Sequence, residues 1–223
     1  MFAVIFEVQP KQERWNDYLD LAGMLRPELE KIDGFIDNER FTSLLDRGRV
    51  LSLSTWRDEK ALIRWRTLGL HHQAQEKGRS SIFADYHLRV GEVVADTHVP
   101  KGHGLPQQRF DETETGAAKL VTFTEIRAPG DSGAGSDALA ADFGLPTVET
   151  SSVVSHEAFT GITDPARSLL LVSWGDRTAG ERWRPDTTGG IDIRHRSVRV
   201  IRDYGMHDRR EAPQYYSVVA GDE

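Results

Sequence analysis

Hydrophobic and polar residues change period several times along the first hundred positions, and each change marks an element. Phe2 to Val8 alternates and is rich in Val, Ile and Phe, which predicts a strand that ends at Pro10 and Lys11. From Glu13 the period lengthens. Trp15, Tyr18, Leu19, Ala22, Leu25, Leu29 and Ile32 recur at three- and four-residue spacing, with Asn16, Asp17, Asp20, Glu28, Glu30 and Lys31 largely between them. This is the pattern of an amphipathic helix with one buried face. Pro27 lacks an N–H donor and is expected to kink or restart that helix; Asp33-Gly34 supplies its stop. Phe35 to Leu44 and Val50 to Trp56 read as a hairpin across Asp46-Arg47-Gly48. Asp58 then caps a second helix, from about Glu59 to Lys77, in which Ala61, Leu62, Trp65, Leu68 and His72 share a face. Gly69 is placed to split it and Gly78 to close it. Phe83 to Val94 reads as a fourth strand, with Ala84, Tyr86, Leu88, Val90 and Val94 on one side and Asp85, His87, Arg89 and Gly91 on the other.

Residues 97–118 have no periodicity and hold Pro100, Gly102, Gly104 and Pro106, which marks a linker. Beyond it the order of elements returns in weaker form. Lys119 to Ile126 is a strand, Asp137 to Phe143 a short helix, Thr150 to Phe159 and Ser168 to Trp174 a strand pair, Gly180 to Arg184 a helix remnant, and Ile191 to Tyr204 a closing strand. Two local echoes support an internal repeat. LLSLSTWRDEKALIRW (44–65, skipping 45–50) is similar to LLLVSWGDRTAGERW (169–183), which matches Trp56 with Trp174 and Trp65 with Trp183. RVGEVVAD (89–96) is similar to RVIRDYG (199–205). The expected division is 1–96, a linker at 97–118, a degenerate second unit at 119–206 and a tail at 207–223.

Composition narrows the function classes. With 28 Lys and Arg against 35 Asp and Glu the net charge is −7, and no basic stripe is present, so nucleic acid is not an expected partner. There are no cysteines, which excludes disulfides and thiolate sites. The apolar start MFAVIFEVQP is too short for a membrane span or a signal core and lacks a basic flank, so the expectation is a cytoplasmic protein. The chain has no P-loop, GxGxxG, HExxH or G-x-S-x-G motif.

Chemistry is left to scattered side chains. His71 and His72 lie at the break of the second helix, close to Trp65, and are candidates for a base or an oxygen-anchoring donor near neutral pH. Only one of the two can face a given cavity, because neighbours on a helix diverge. A histidine capping a helix end is the plainer alternative. Asn38 and Arg40 project from one face of the second strand and could hydrogen-bond a ligand oxygen or stabilise an oxyanion, or else belong to a solvated face. Trp56, Trp65, Phe83 and Tyr86 could wall an aromatic cavity, or simply pack the core.

The stretches FAVIFEV, YLDLAGMLRPELEKIDGFIDNERF, LLSLSTWRDEKALIRWR and LHHQAQEKGRSSIFADYHLRVGEVV resemble the antibiotic biosynthesis monooxygenase domain, and RDYGMHDRREAP resembles the tail of its single-domain members. The resemblance implies an α+β fold: tandem ferredoxin-like units forming a pseudo-dimer of the dimeric α/β-barrel type, with a homodimer of such chains as a further assembly. One sheet face of the first unit, carrying apolar residues of strands one, three and four, is expected to be covered by the second unit. It also implies a cofactor-independent oxidoreductase acting on a small aromatic, polyphenolic or quinol-like substrate and O2, with His71 or His72 as base. Heme is the alternative cofactor. The heme-degrading branch has its ligand near Gln75 and an Asn on the first strand, and neither matches, so His156 and His195 are the axial candidates. A non-catalytic ligand binder is the third reading.

Overall fold

The computed structural model describes residues 1–46, 48–127, 135–147, 152–186 and 193–213. The first half comprises β1 (Phe2–Pro10), α1 (Trp15–Glu30), β2 (Phe35–Ser43), β3 (Val50–Trp56), α2 (Glu59–Thr67), α3 (Gly69–Lys77) and β4 (Phe83–Asp96). The second comprises β5 (Leu120–Arg127), α4 (Ser136–Asp142), β6 (Val153–Gly161), β7 (Arg167–Trp174), α5 (Arg177–Arg182) and β8 (Ile193–Gly205). The expected starts of two of the second-half strands, Thr150 and Ile191, lie outside the described residues. Leu68, extended at φ −60° and ψ 127°, separates α2 from α3, and Gly69 opens α3. Pro27 does not restart α1, which runs on to Glu30. Its missing N–H forfeits one i→i−4 bond, to Gly23, in a helix of 16 residues.

All eight strands pair antiparallel and close into one barrel in the order β1-β3-β2-β6-β7-β5-β8-β4. The two halves are therefore joined along both edges. β2 meets β6 from Phe41↔Gly161 to Ser43↔Phe159, and β4 meets β8 from His87↔Gly205 to Asp96↔Arg196. The β4–β8 seam is long, whereas the β2–β6 seam pairs three residues of each strand.

The barrel interior is filled. Ala3, Ile5, Phe41, Leu51, Leu53, Phe123, Phe159, Leu169, Leu171, Val198 and Val200 form its apolar core. Charged side chains also point inward. Arg89 bonds Glu7 and the Ser173 hydroxyl (2.8 Å), while Glu125 receives Arg196 and Arg167 (2.5 Å for Arg167). The alternation on β4 thus runs opposite to the expected covered face. Tyr86, Leu88 and Val90 lie in the layer beneath the helices, and Arg89 enters the barrel, where Glu7 neutralises it.

Matching positions recur in the two halves. Phe2 lies opposite Trp56 as Leu120 lies opposite Trp174. Asp58 caps the Ala61 amide at 2.8 Å as Asp176 caps that of Ala179 at 2.9 Å. Glu7 holds Arg89 as Glu125 holds Arg196. The partner of Arg89 is therefore Arg196 and not Arg199. The echo read between 89–96 and 199–205 is three residues out of step, because Arg199 instead binds Glu92 (2.6 Å) beside a bulged stretch of β4. Residues 97–118 form no regular element yet are tied down. Thr113 donates to Val200 (2.9 Å), and the Glu211 carboxylate accepts the Glu114, Thr115 and Asp203 amides (2.7, 3.1 and 2.7 Å). Among the described residues no helix is long and apolar enough to cross a membrane.

Candidate active site

The helix layers of the two halves differ. In the second, α4 and α5 are short, and Leu139, Phe143, Trp174 and Trp183 pack against the outer sheet face. In the first, the longer α1, α2 and α3 stand over the sheet and leave a cavity of about 220 Å³. Its floor consists of two registered rows that cross five strands. One runs Asn38, Ser54, Val4, Val90, Arg202; the other runs Arg40, Ser52, Phe6, Leu88, Tyr204. Each row is polar on β2 and β3, apolar on β1 and β4, and polar again on β8. Tyr18, Leu21, Ala22, Leu25 and Leu29 of α1 and Leu62 and Trp65 of α2 provide the roof. Phe83 and Tyr86 close one end, with Arg79 and Arg209 above them.

His71 lines this cavity and stacks on Trp65, with ring centroids 4.1 Å apart and planes 18° off parallel. Its Nδ1 lies 3.0 Å from the Trp65 carbonyl oxygen. A carbonyl only accepts, so Nδ1 carries the proton and Nε2 carries the lone pair. Burial pushes the imidazole down to about 4, which keeps it neutral at pH 7. His72, one step round the helix, is exposed and does not line the cavity. Its place on the face of Ala61, Leu62 and Trp65 was lost when the chain broke at Leu68, which shifted the phase of α3 relative to α2.

Asn38 and Arg40 both reach the cavity. The Asn38 amide donates to the Ser52 hydroxyl (3.0 Å) and the Leu53 carbonyl (3.2 Å), so its free atom toward a ligand is the oxygen, an acceptor. Arg40 Nε is buried without an acceptor among the described residues. The Tyr18 phenol is raised by burial, and Arg40, bonded to it, opposes that shift. The Tyr86 hydroxyl accepts from Arg79 (2.9 Å) and Arg209 (2.6 Å). Burial pushes Tyr204 up to about 12.

Of the four expected aromatic walls, Trp65, Phe83 and Tyr86 line the cavity. Trp56 does not. It is fully buried, donates to the Ser54 hydroxyl (3.0 Å) and packs edge-on to Phe35. Sequence reasoning passed over Ser52, Ser54, Tyr18, Arg66, Arg202 and Tyr204. Only the serines left a trace, as two polar residues on one face of an otherwise apolar strand.

The two residues expected as heme ligands lie away from the cavity, so the heme alternative gains no support from them. His156 on β6 lies 3.0 Å from Asp137, and His195 on β8 lies 3.0 Å from the Thr124 hydroxyl; neither lines the cavity. Gln75 does line it, but an amide is a poor iron ligand. Among the described residues no group of three or more His, Asp or Glu is gathered for a metal.

The cavity is a small amphiphilic chamber between helices and sheet on an α+β barrel, concave and mostly apolar with a few polar groups, as small-molecule pockets are. The model of the antibiotic biosynthesis monooxygenase family matches residues 1–77. A protein of Pyricularia oryzae (strain 70-15) named jasmonate monooxygenase is 44% identical over 220 residues, which cover 97% of this chain and 98% of its own. Solved structures similar to the chain include an antibiotic biosynthesis monooxygenase (18% identity, TM-score 0.39, 43% of this chain and 100% of its own) and an anthrone oxidase-like protein (13% identity, TM-score 0.34, 96% of each). The chain belongs to the antibiotic biosynthesis monooxygenase family, and it is an enzyme of the monooxygenase type.

Proposed function

We propose that the enzyme oxygenates a small, largely apolar molecule bearing an ionisable oxygen, such as a phenol, a quinol-like ring or an enolisable ketone, inside the first-half cavity and without a bound cofactor. The observation that carries this reading is the floor, apolar in the middle and able to hold an oxyanion where Arg40 and Tyr18 meet. Loss of a C–H proton gives an electron-rich anion, which a dry site with fixed positive charge stabilises. That anion supplies the electrons to O2. Oxidation of a CH2 group to a carbonyl then places one oxygen atom on carbon and releases the other as water, with no external reductant. His71 Nε2 is the base on this reading, and Trp65, Phe83 and Tyr86 are the walls. The matching positions of the two halves support a tandem pseudo-dimer in which the second unit, its helix layer filled, serves as scaffold.

The test is oxygen uptake with a panel of anthrone-type and polyphenolic substrates, alone and with the His71→Ala and Arg40→Gln variants. Both variants are expected to lower kcat by tenfold or more, whereas His72→Ala leaves it unchanged. Unaltered uptake in the first two would overturn the assignment. Jasmonate, named for the Pyricularia oryzae relative, belongs in the same panel. Insertion of one oxygen atom into a C–H bond takes two electrons beyond those of the bond, so that assay includes a reductant.

A further inference from the structure

The chain is acidic overall, yet its cavity is cationic. Its charged lining consists of Arg26, Arg40, Arg66, Arg79, Arg202 and Arg209 against Glu59 alone. Most of these groups are already engaged. Glu59 is held by Arg109 (2.8 and 2.9 Å), Arg26 by Glu30 (2.8 Å), Arg79 and Arg209 bond the Tyr86 hydroxyl, and Arg40 bonds Tyr18. Arg66 and Arg202 are different. Both are half-buried, neither pairs with a carboxylate among the described residues, and Arg66 Nε is buried without an acceptor. Arg202 ends one floor row on β8, beside Tyr204 at the end of the other, and Arg66 lies on α2 next to Leu62 and Trp65, which share an apolar cluster with Ile201 of β8. Two partly desolvated like charges gathered without a counter-ion repel each other, and an anion between them relieves that cost.

We propose that the substrate carries a carboxylate and that Arg66 and Arg202 hold it at the β8 end of the cavity. This rests on the cavity being the reaction site, and it adds the substrate class. The guanidinium fork matches a carboxylate, and the apolar residues Val4, Phe6, Leu88 and Val90 beside it suit a monoanion with an apolar body better than a multiply charged phosphate. Arg40 and Arg202 lie on strands separated by β3, β1 and β4. Four inter-strand steps of about 4.8 Å give roughly 19 Å between them across the sheet. Two arginine stems reaching inward leave an apolar span on the order of 8 Å. The substrate then presents its carboxylate at one end and its reacting oxygen at the other, near Arg40.

The test uses 1-naphthaleneacetate and its neutral near-isostere 1-naphthaleneacetamide as probes, with binding read by calorimetry and by quenching of Trp65 fluorescence. The acid is expected to bind at least tenfold more tightly than the amide at low salt. Arg66→Gln and Arg202→Gln should each cost about tenfold for the acid and leave the amide unchanged, which also shows that each variant is folded. Equal affinity for acid and amide, no binding of the acid at 1 mM, or no effect of either substitution overturns the carboxylate anchor. Leu88→Trp, which fills the middle of the floor, separates the two readings. If it blocks both probes while the arginine variants change nothing, the cavity stands and the anchor falls. If both probes still bind, the cavity itself is refuted as the binding site and the anchor with it.

Discussion

Lowering the pH from 7 to 5 should destabilise this protein through two buried histidines. His71 and His195 are each held at about 4, chiefly by burial, against an ordinary 6.5. His195 is 4% exposed, and its Nε2 has no partner among the described residues. The unfolded chain therefore takes up protons first as the pH falls. The stability contribution is complete above pH 6.5, is lost between 6.5 and 4, and is constant below that. Between pH 7 and 5 each group accounts for a loss of about 2 kcal/mol, or about 4 kcal/mol together. That is a large share of the ~5–15 kcal/mol typical of a folded domain. With a urea dependence of roughly 2–3 kcal/mol per molar, the unfolding midpoint should drop by about 1.5 M. The paired carboxylates titrate lower still, and Glu157, raised by burial, works in the opposite sense. The assay is a series of urea titrations at pH 7, 6 and 5 on the wild type and on the His71→Gln/His195→Gln double variant. The variant should lose most of the pH dependence. A wild-type midpoint unchanged over that range, or an equal drop in the double variant, would refute the reasoning.

Further outcomes follow from local geometry. A Cβ at Gly78 would overlap the Phe83 ring, so Gly78→Ala should push that ring into the cavity and weaken ligand binding by tenfold or more in calorimetry, with a smaller loss of thermal stability. Gly91 has the Arg199 carbonyl oxygen against the place where a Cβ would be, at the β4–β8 seam; Gly91→Ala should cost roughly 3 kcal/mol or more in urea unfolding, since backbone cannot yield as a side chain does. Asp58→Ala and Asp176→Ala each remove a helix cap and should cost about 1 kcal/mol in the same assay, with cavity binding affected only by the first.

Much of the first half was legible because its signals are local. The period of Trp15, Tyr18, Ala22 and Leu29, the Asp58 cap and the break at Gly69 depend on residues within a turn or two. Trp65, His71, Asn38, Arg40, Phe83 and Tyr86 were found as single residues and do gather around one cavity. Trp56 could not be sorted from them, since a tryptophan in a core and one in a pocket wall have the same sequence neighbourhood. The phase slip at Leu68 that exposes His72 depends on one backbone angle, and composition does not encode it.

The amino-acid sequence alone determined the run of strands and helices, the weakened return of that run and the absence of thiol chemistry. Alternation, helical period and capping act between near neighbours, so they can be read in order along the chain. Only the tertiary structure decided that both sheet edges close into one barrel, that Arg89 points inward while Leu88 faces the helices, and that Arg66 and Arg202 share one end of a cavity. Those outcomes rest on strand register between β4 and β8, where a single bulge changes which side chains stand together.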